Sequence, residues 1–169
     1  MELKLLADNT YKDCMQYEEQ LISMCIDYFQ EAEGDNFVGT KETVTKMIVD
    51  FVMTQKKTIY LLVEKDELIG FLVVYINDQY GNLKPVVFTE YMYVKPEYRS
   101  GRAIMYLYTM LGIISEEYDC DAMGSTLIDS PNIRNNKIVN GTVIAELTRF
   151  PLEEIKQKTK LYKKRILNG

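Results

Sequence analysis

Two arginines and a glycine stand where a strand gives way to a helix. Arg99 and Gly101 lie at the end of the run Lys95-Pro96-Glu97-Tyr98-Arg99-Ser100-Gly101, Arg102 follows it, and the next helix is expected to start near Arg102. The first N–H groups of a helix have no partner inside it, and the helix dipole makes that end positive. Such donors beside two guanidinium groups suit a phosphate or diphosphate. The alternative is structural: many strand–turn–helix units hold nothing, and arginines in turns are commonly just solvated.

The chain contains no histidine. This excludes Ser-His-Asp and Cys-His catalysis and histidine-ligated metals, and no metal site is expected. General acid–base work would fall to carboxylates, tyrosines, cysteines, lysines or water. Cys14, Cys25 and Cys120 are far apart and odd in number. They argue against a disulfide framework or zinc cluster and for a reducing compartment, here the cytoplasm. Cys14 and Cys25 fall on the apolar stripe of an expected helix, as core thiols do.

The elements that would position the basic turn can be read from periodicity. Val86 to Val94 is dense in β-branched and aromatic residues and reads as a strand that Pro96 ends. The helix from Arg102 to about Glu117 carries Ala103, Leu107, Leu111 and Ile114 at helical spacing. Before them come a short strand at Leu3 to Leu6, an amphipathic helix from Tyr11 to Glu33 and a helix from a Thr40 cap through Gln55. Thr58 to Glu64 and Leu68 to Ile76 form an apolar hairpin around Lys65-Asp66-Glu67, covered on both faces. After the long helix come a strand at Asp121 to Ile128, a short helix at Asn132 to Ile138, a last strand at Val143 to Phe150 and a terminal helix from Pro151 to about Ile166. Most of the thirteen tyrosines, among them Tyr17, Tyr28, Tyr60 and Tyr75, fall on apolar faces and read as core.

The totals fit one domain of 169 residues, 47% of them hydrophobic. No apolar run reaches the roughly eighteen residues that span a bilayer, and MELKLLADNT lacks a signal-peptide pattern, so no membrane contact is expected. The net charge of −5 disfavours a broad nucleic-acid surface. Residues 151–169 hold six Lys/Arg and two Asp/Glu, a charge of +4 against −9 for residues 1–150. Such a basic tail helix is either a solvated face or a surface for an acidic protein partner.

The element order and the segment YMYVKPEYRSGRA together resemble the GNAT superfamily, the Gcn5-related N-acetyltransferases. Val94-Lys95-Pro96-Glu97-Tyr98-Arg99 matches the family's Val-x-Pro-x-Tyr-Arg lead-in to the CoA pyrophosphate loop. The loop Arg99 to Ile104 departs from it, with Arg102 and Ile104 where glycine, or glycine or alanine, is usual. Variants of the form Arg-x-Gly-Arg-Ala resemble members that include phage-borne ones. The resemblance implies an α+β fold: a mixed, mostly antiparallel sheet of about six or seven strands, helices on both faces, and a splayed V between strands 4 and 5.

It also implies acetyl-CoA as co-substrate and transfer of acetyl to a primary amine. The diphosphate would meet the N–H groups of Gly101 to Ile104, thus Gly101, Arg102, Ala103 and Ile104, with Arg99 and Ser100 in the same loop. The pantetheine arm would pair like a strand with Met92, Tyr93 and Val94, with a bulge near the position of Tyr91 to Tyr93, and Asn132 would match an asparagine that bonds the arm. Glu90 is the candidate base, the alternative being a carboxylate that faces solvent or pairs with a lysine. No tyrosine stands in SPNIRNNKIVNGT, where the family often has its general acid; Tyr118, Tyr108 and Cys120 are substitutes among which spacing does not choose. The acceptor would be a cationic small molecule or protein amine, such as a polyamine, aminoglycoside, lysine or peptide N-terminus. A homodimer is one assembly open to the chain, and the sequence does not choose the oligomeric state. The rival readings are a GNAT-fold protein without turnover that binds CoA or a protein, and an interaction protein that binds no CoA.

Overall fold

A computed structural model describes residues 1–6, 11–33, 37–54, 57–77, 85–99, 101–125, 142–144, 147–150 and 152–167. The elements are β1 (Glu2–Leu6), α1 (Tyr11–Cys14), α2 (Glu18–Glu33), α3 (Lys41–Thr54), β2 (Thr58–Glu64), β3 (Glu67–Asn77), β4 (Val86–Val94), α4 (Arg102–Glu117), β5 (Ala122–Ser125), β6 (Thr142–Ile144), β7 (Leu147–Phe150) and α5 (Leu152–Leu167). The seven strands form one sheet in the order β1-β2-β3-β4-β5-β7-β6. β1 to β4 run antiparallel to their neighbours, and the crossover through α4 makes β4 and β5 parallel.

Alternation along the strands divides the core in two. Ile59, Leu61, Phe71, Val73 and Tyr93 pack against α1 to α3 through Tyr17, Leu21, Met24, Cys25, Val44, Ile48 and Val52. Leu62, Leu72, Val74, Val87 and Val94 face α4 and α5 through Ala103, Leu107, Leu111, Ile114 and Ile155. β2 and β3 are therefore apolar almost throughout because both faces are covered, as their sequences imply. All three cysteines are buried and unbridged.

Two expectations change. The helix read as continuous from Tyr11 is broken by a 3₁₀ turn at Met15–Tyr17. The last strand, read as Val143 to Phe150, is two antiparallel strands with Ile144 opposite Leu147. No glycine, proline, asparagine or aspartate stands in the sequence between Ile144 and Leu147, so nothing local separates the two strands. The helix expected at Asn132 to Ile138 lies outside the described residues. No described helix is long and apolar enough to cross a membrane.

Candidate functional site

The two edges of β4 differ. On one edge it pairs with β3 from Asn77↔Val86 to Gly70↔Val94. On the other it pairs with β5 at Val87↔Ala122, Phe88↔Met123 and Thr89↔Gly124. Past Thr89, no strand among the described residues pairs with that edge. Thr89 Oγ1, buried at the last pair, has no hydrogen-bond partner among the described residues.

Glu90 is a bulge. Val73 lies opposite Tyr91 and Val74 opposite Thr89, so Glu90 is one residue more than β3 can match. The extra residue shifts the alternation of the peptide groups. Hydrogen bonds near the two ends of the strand establish this. Val87 N–H bonds the Asp121 carbonyl on the β5 side at 3.0 Å, whereas Lys95 N–H bonds the Ile69 carbonyl on the β3 side at 3.0 Å. Both positions are odd-numbered, so unbroken alternation would face them the same way. With the bulge, Tyr91 and Tyr93 turn their peptide groups to β3, and Met92 and Val94 turn theirs to the uncovered edge. The bulge, expected near Tyr91 to Tyr93, sits at Glu90. Of the three residues expected to offer backbone to an arm, Tyr93 offers its peptide to β3 instead.

The Glu90 side chain forms an ion pair with Lys57, which immediately precedes β2. Lys57 Nζ also lies over the Phe51 ring, 4.2 Å from its centroid, and 5.9 Å from that of Tyr75. The Lys57 and Glu90 side chains are 24% and 22% exposed, while the Glu90 Oε2 that holds the ammonium is itself buried. Burial, and then the adjacent Glu90 carboxylate with its hydrogen bond, push the Tyr91 phenol well above its usual range. Tyr91 therefore stays protonated. Its ring belongs to an aromatic cluster with Tyr28, Phe29 and Phe51.

The basic turn is shaped by Pro96 and Gly101. Pro96 opens a 3₁₀ turn, Pro96–Tyr98. Tyr98 and Lys95 both bond Glu67, at 2.9 and 2.7 Å, which anchors the turn to the β2–β3 hairpin. Gly101 adopts φ 99°, a left-handed conformation that side-chain-bearing residues rarely take, and caps α4. Ala103 and Ile104 send their side chains into the core, so this helix start offers backbone rather than side chains. As the first helical residues, Arg102, Ala103 and Ile104 have N–H groups without partners inside α4. Gly101 N–H, expected among these donors, instead bonds the Arg99 carbonyl at 2.9 Å.

Arg99 is held by groups of the chain itself. Its terminal nitrogens hold both oxygens of Glu31, at 2.5 and 2.6 Å, and its Nε bonds the Val94 carbonyl at 2.8 Å. Its guanidinium lies 5.1 Å from the centroid of the Tyr93 ring. The Arg99 hydrogen bonds hold the Glu31 carboxyl below its ordinary range. The guanidinium expected to meet a diphosphate thus meets a carboxylate from the last turn of α2. Arg102 is exposed, and no ion pair holds it among the described residues. Ser100 and Asn132 lie outside the described residues.

None of the substitute acids is at the bulge. Tyr108 is in the core on α4, where burial pushes its phenol up. Cys120 is buried just before β5, and burial raises its thiol. Tyr118 is exposed at the C-terminal end of α4, away from the turn. The residues that sequence reasoning missed are Glu31, Lys57 and Tyr91. The first two meet the site only through tertiary packing, so no local spacing marks them.

The fold recurs in solved structures. A probable acetyltransferase superposes with a TM-score of 0.69 at 19% identity, covering 86% of this chain and 93% of the other. A predicted acetyltransferase from Clostridium acetobutylicum, solved with acetyl-CoA, gives 0.64 at 13%, covering 86% and 92%. An aminoglycoside N-acetyltransferase in complex with CoA gives 0.59 at 18%, covering 81% and 82%. The chain therefore has the fold of the GNAT acetyltransferases, as the resemblance implied. No family model matches the chain, and no curated protein matches it in sequence.

Proposed function

We propose that the chain is an acetyl-CoA-dependent N-acetyltransferase that passes acetyl to a primary amine by direct attack, with no covalent enzyme intermediate. The observation that carries this reading is the Glu90 bulge, which turns the Met92 and Val94 peptides toward an edge that β5 leaves unpaired. An extended arm with two amides fits such an edge, and the N–H groups of Arg102, Ala103 and Ile104 fit its diphosphate. The Val94 carbonyl is taken by Arg99, which leaves its N–H and both Met92 groups for the arm. Neighbours of the same fold have been solved with CoA and with acetyl-CoA, which supports the choice of donor.

Acetyl-CoA supplies an activated thioester. A backbone N–H just past the bulge, turned to the uncovered edge, would polarise the thioester oxygen as negative charge develops there. Glu90, at the end of the β4–β5 pairing, would take the proton of the incoming ammonium, whose ordinary pKa of about 10.4 keeps it charged near neutrality. Tyr91, held protonated beside Glu90, orients that carboxylate.

Glu31 in the grip of Arg99 favours a second reading: a protein that keeps the fold without turnover and acts by binding CoA or a protein partner. The basic α5 is the surface for that partner, although Ile155 and Thr159 already bind it to α4 and Lys163 pairs with Glu116. Thermal unfolding with and without acetyl-CoA, followed by thiol release with a panel of amines, decides. Saturating acetyl-CoA should stabilise the chain, by about 2.7 kcal/mol at a hundred times Kd. Stabilisation without thiol release leaves the second reading. No stabilisation at millimolar acetyl-CoA removes acetyl-CoA from both.

A further inference from the structure

We infer that Lys57 is itself an acceptor, acetylated within its own chain at the Glu90 bulge. The inference rests on the acetyltransferase reading above and goes beyond it by naming a modified residue. Lys57 carries a primary amine that already touches the candidate base. The Phe51 and Tyr75 rings beneath its ammonium give that site the character of a cation pocket, filled by the chain's own side chain. The two side chains are about a quarter exposed and the Glu90 Oε2 that holds the amine is buried, so a reagent must reach the amine from the side away from Glu90. Glu90 directly follows Thr89, the last residue of β4 that β5 covers, so the amine is held at the vertex of the opening. Lys4, Lys41, Lys95, Lys156 and Lys163 pair with carboxylates on other parts of the surface.

The step balances without a further reagent. The Glu90 carboxylate takes one proton from the Lys57 ammonium. The neutral Nζ attacks the thioester carbonyl carbon; a C–N bond forms, the C–S bond breaks, and the CoA thiolate leaves. The second amine proton goes to the thiolate, the third stays on the amide nitrogen, and Glu90 returns its proton to water. The products are acetyl-Lys57, free CoA thiol and one proton. The acetylated side chain no longer carries the cation that pairs with Glu90.

The test incubates the full chain with acetyl-CoA and no other acceptor, and reads intact mass and a peptide map over time. The expected result is a single acetyl group on the peptide that carries Lys57, formed at a first-order rate independent of protein concentration. The five lysines named above report background chemical acetylation in the same map. In Lys57→Arg, which keeps the cation, no peptide should exceed that background. In Glu90→Gln the rate at Lys57 should fall at least about a hundredfold. Acetylation of Lys57 no faster than of the five controls overturns the inference, and so does a rate that rises with protein concentration. Thermal stabilisation by acetyl-CoA and thiol release with added amines, measured alongside, separate the two failures. If both are present and Lys57 stays unmodified, the enzyme stands and the self-acetylation falls. If both are absent and Lys57 stays at background, the two fall together. Unfolding of each variant is followed by heating, and the wild-type map decides even where a variant fails to fold.

Discussion

Glu31 holds Arg99 by both terminal nitrogens, at 2.5 and 2.6 Å, across 68 positions of the chain. This contact ties the last turn of α2 to the turn that opens α4, and it places a carboxylate where an anion of a ligand would compete for the same guanidinium. Glu31→Gln should therefore strengthen acetyl-CoA binding. The gain expected is about 1.5- to 5-fold, because exposed ion pairs are worth roughly 0.2–1 kcal/mol. Titration followed by thermal shift measures it, and an unchanged or weaker affinity would show that Glu31 does not compete.

The same pair has a pH signature. The Glu31 carboxyl lies below its ordinary 4.5, first through the Arg99 hydrogen bonds. A depressed carboxyl stabilises the fold fully above its unfolded value and loses that stabilisation as pH falls through its folded value. Unfolding followed from pH 6 downward should show this loss beginning below about pH 4.5. Glu31→Gln should flatten that part of the profile while other carboxyls still titrate. An identical slope in the variant would mean the pair contributes nothing to stability.

Gly101→Ala isolates backbone strain from crowding. Gly101 has φ 99°, and a Cβ built there meets nothing within 4 Å. The cost is thus conformational, about 1–2 kcal/mol for an L-residue in the left-handed region. Because Gly101 caps α4, that strain falls on the N–H groups proposed for the diphosphate. The unfolding free energy from denaturant titration should drop by that amount, and the shift produced by acetyl-CoA should shrink with it. A variant as stable as wild type would mean the turn relaxes to another conformation.

How far the chain could be read in advance depended on whether a signal was local. β2, β4 and α4 follow from apolar periodicity and from Pro96, and their ends fall where the sequence puts them. The Glu90 bulge is different, because register is a property of two strands. Nothing in VVFTEYMYV distinguishes Glu90 from Tyr91 as the extra residue until β3 is laid beside it. The alternative that Glu90 pairs with a lysine could be stated from the carboxylate alone. Which lysine could not, since Lys57 reaches it across the sheet. Arg99 shows the same division: its place in the turn is local, but its partner comes from α2.

Gly70→Ala tests how closely β3 must approach the site strand. Gly70 lies opposite Val94, at a position where a Cβ would come within 2.7 Å of the Tyr93 carbonyl oxygen and 3.3 Å of Val94 Cγ2. The first contact is with backbone and cannot be relieved by a rotamer change. An added methyl should push β4 away where Met92 and Val94 face the opening, at a cost of about 1–3 kcal/mol. Chemical denaturation reads that cost. Acetyl-CoA binding should weaken more than in a variant equally destabilised elsewhere in the core, for which Leu111→Ala serves. Equal weakening in both would mean that Gly70 matters only for stability.

Glu90→Gln separates holding the donor from moving a proton. Glutamine keeps the shape of glutamate, so the bulge, set by register and not by charge, should persist. The Met92 and Val94 peptides then stay turned to the uncovered edge, and the thermal shift with acetyl-CoA should match wild type. Lys57 loses its anion but keeps the Phe51 ring and partial access to water, so no buried charge is stranded. What glutamine cannot do is accept a proton from an ammonium. Thiol release with an amine acceptor should fall by about a hundredfold to ten-thousandfold, the range that a positioned general base contributes. Since the lost step is deprotonation, raising the pH should recover part of the rate in the variant by supplying more neutral amine. A rate equal to wild type at neutral pH would take the base from Glu90 and leave proton removal to water.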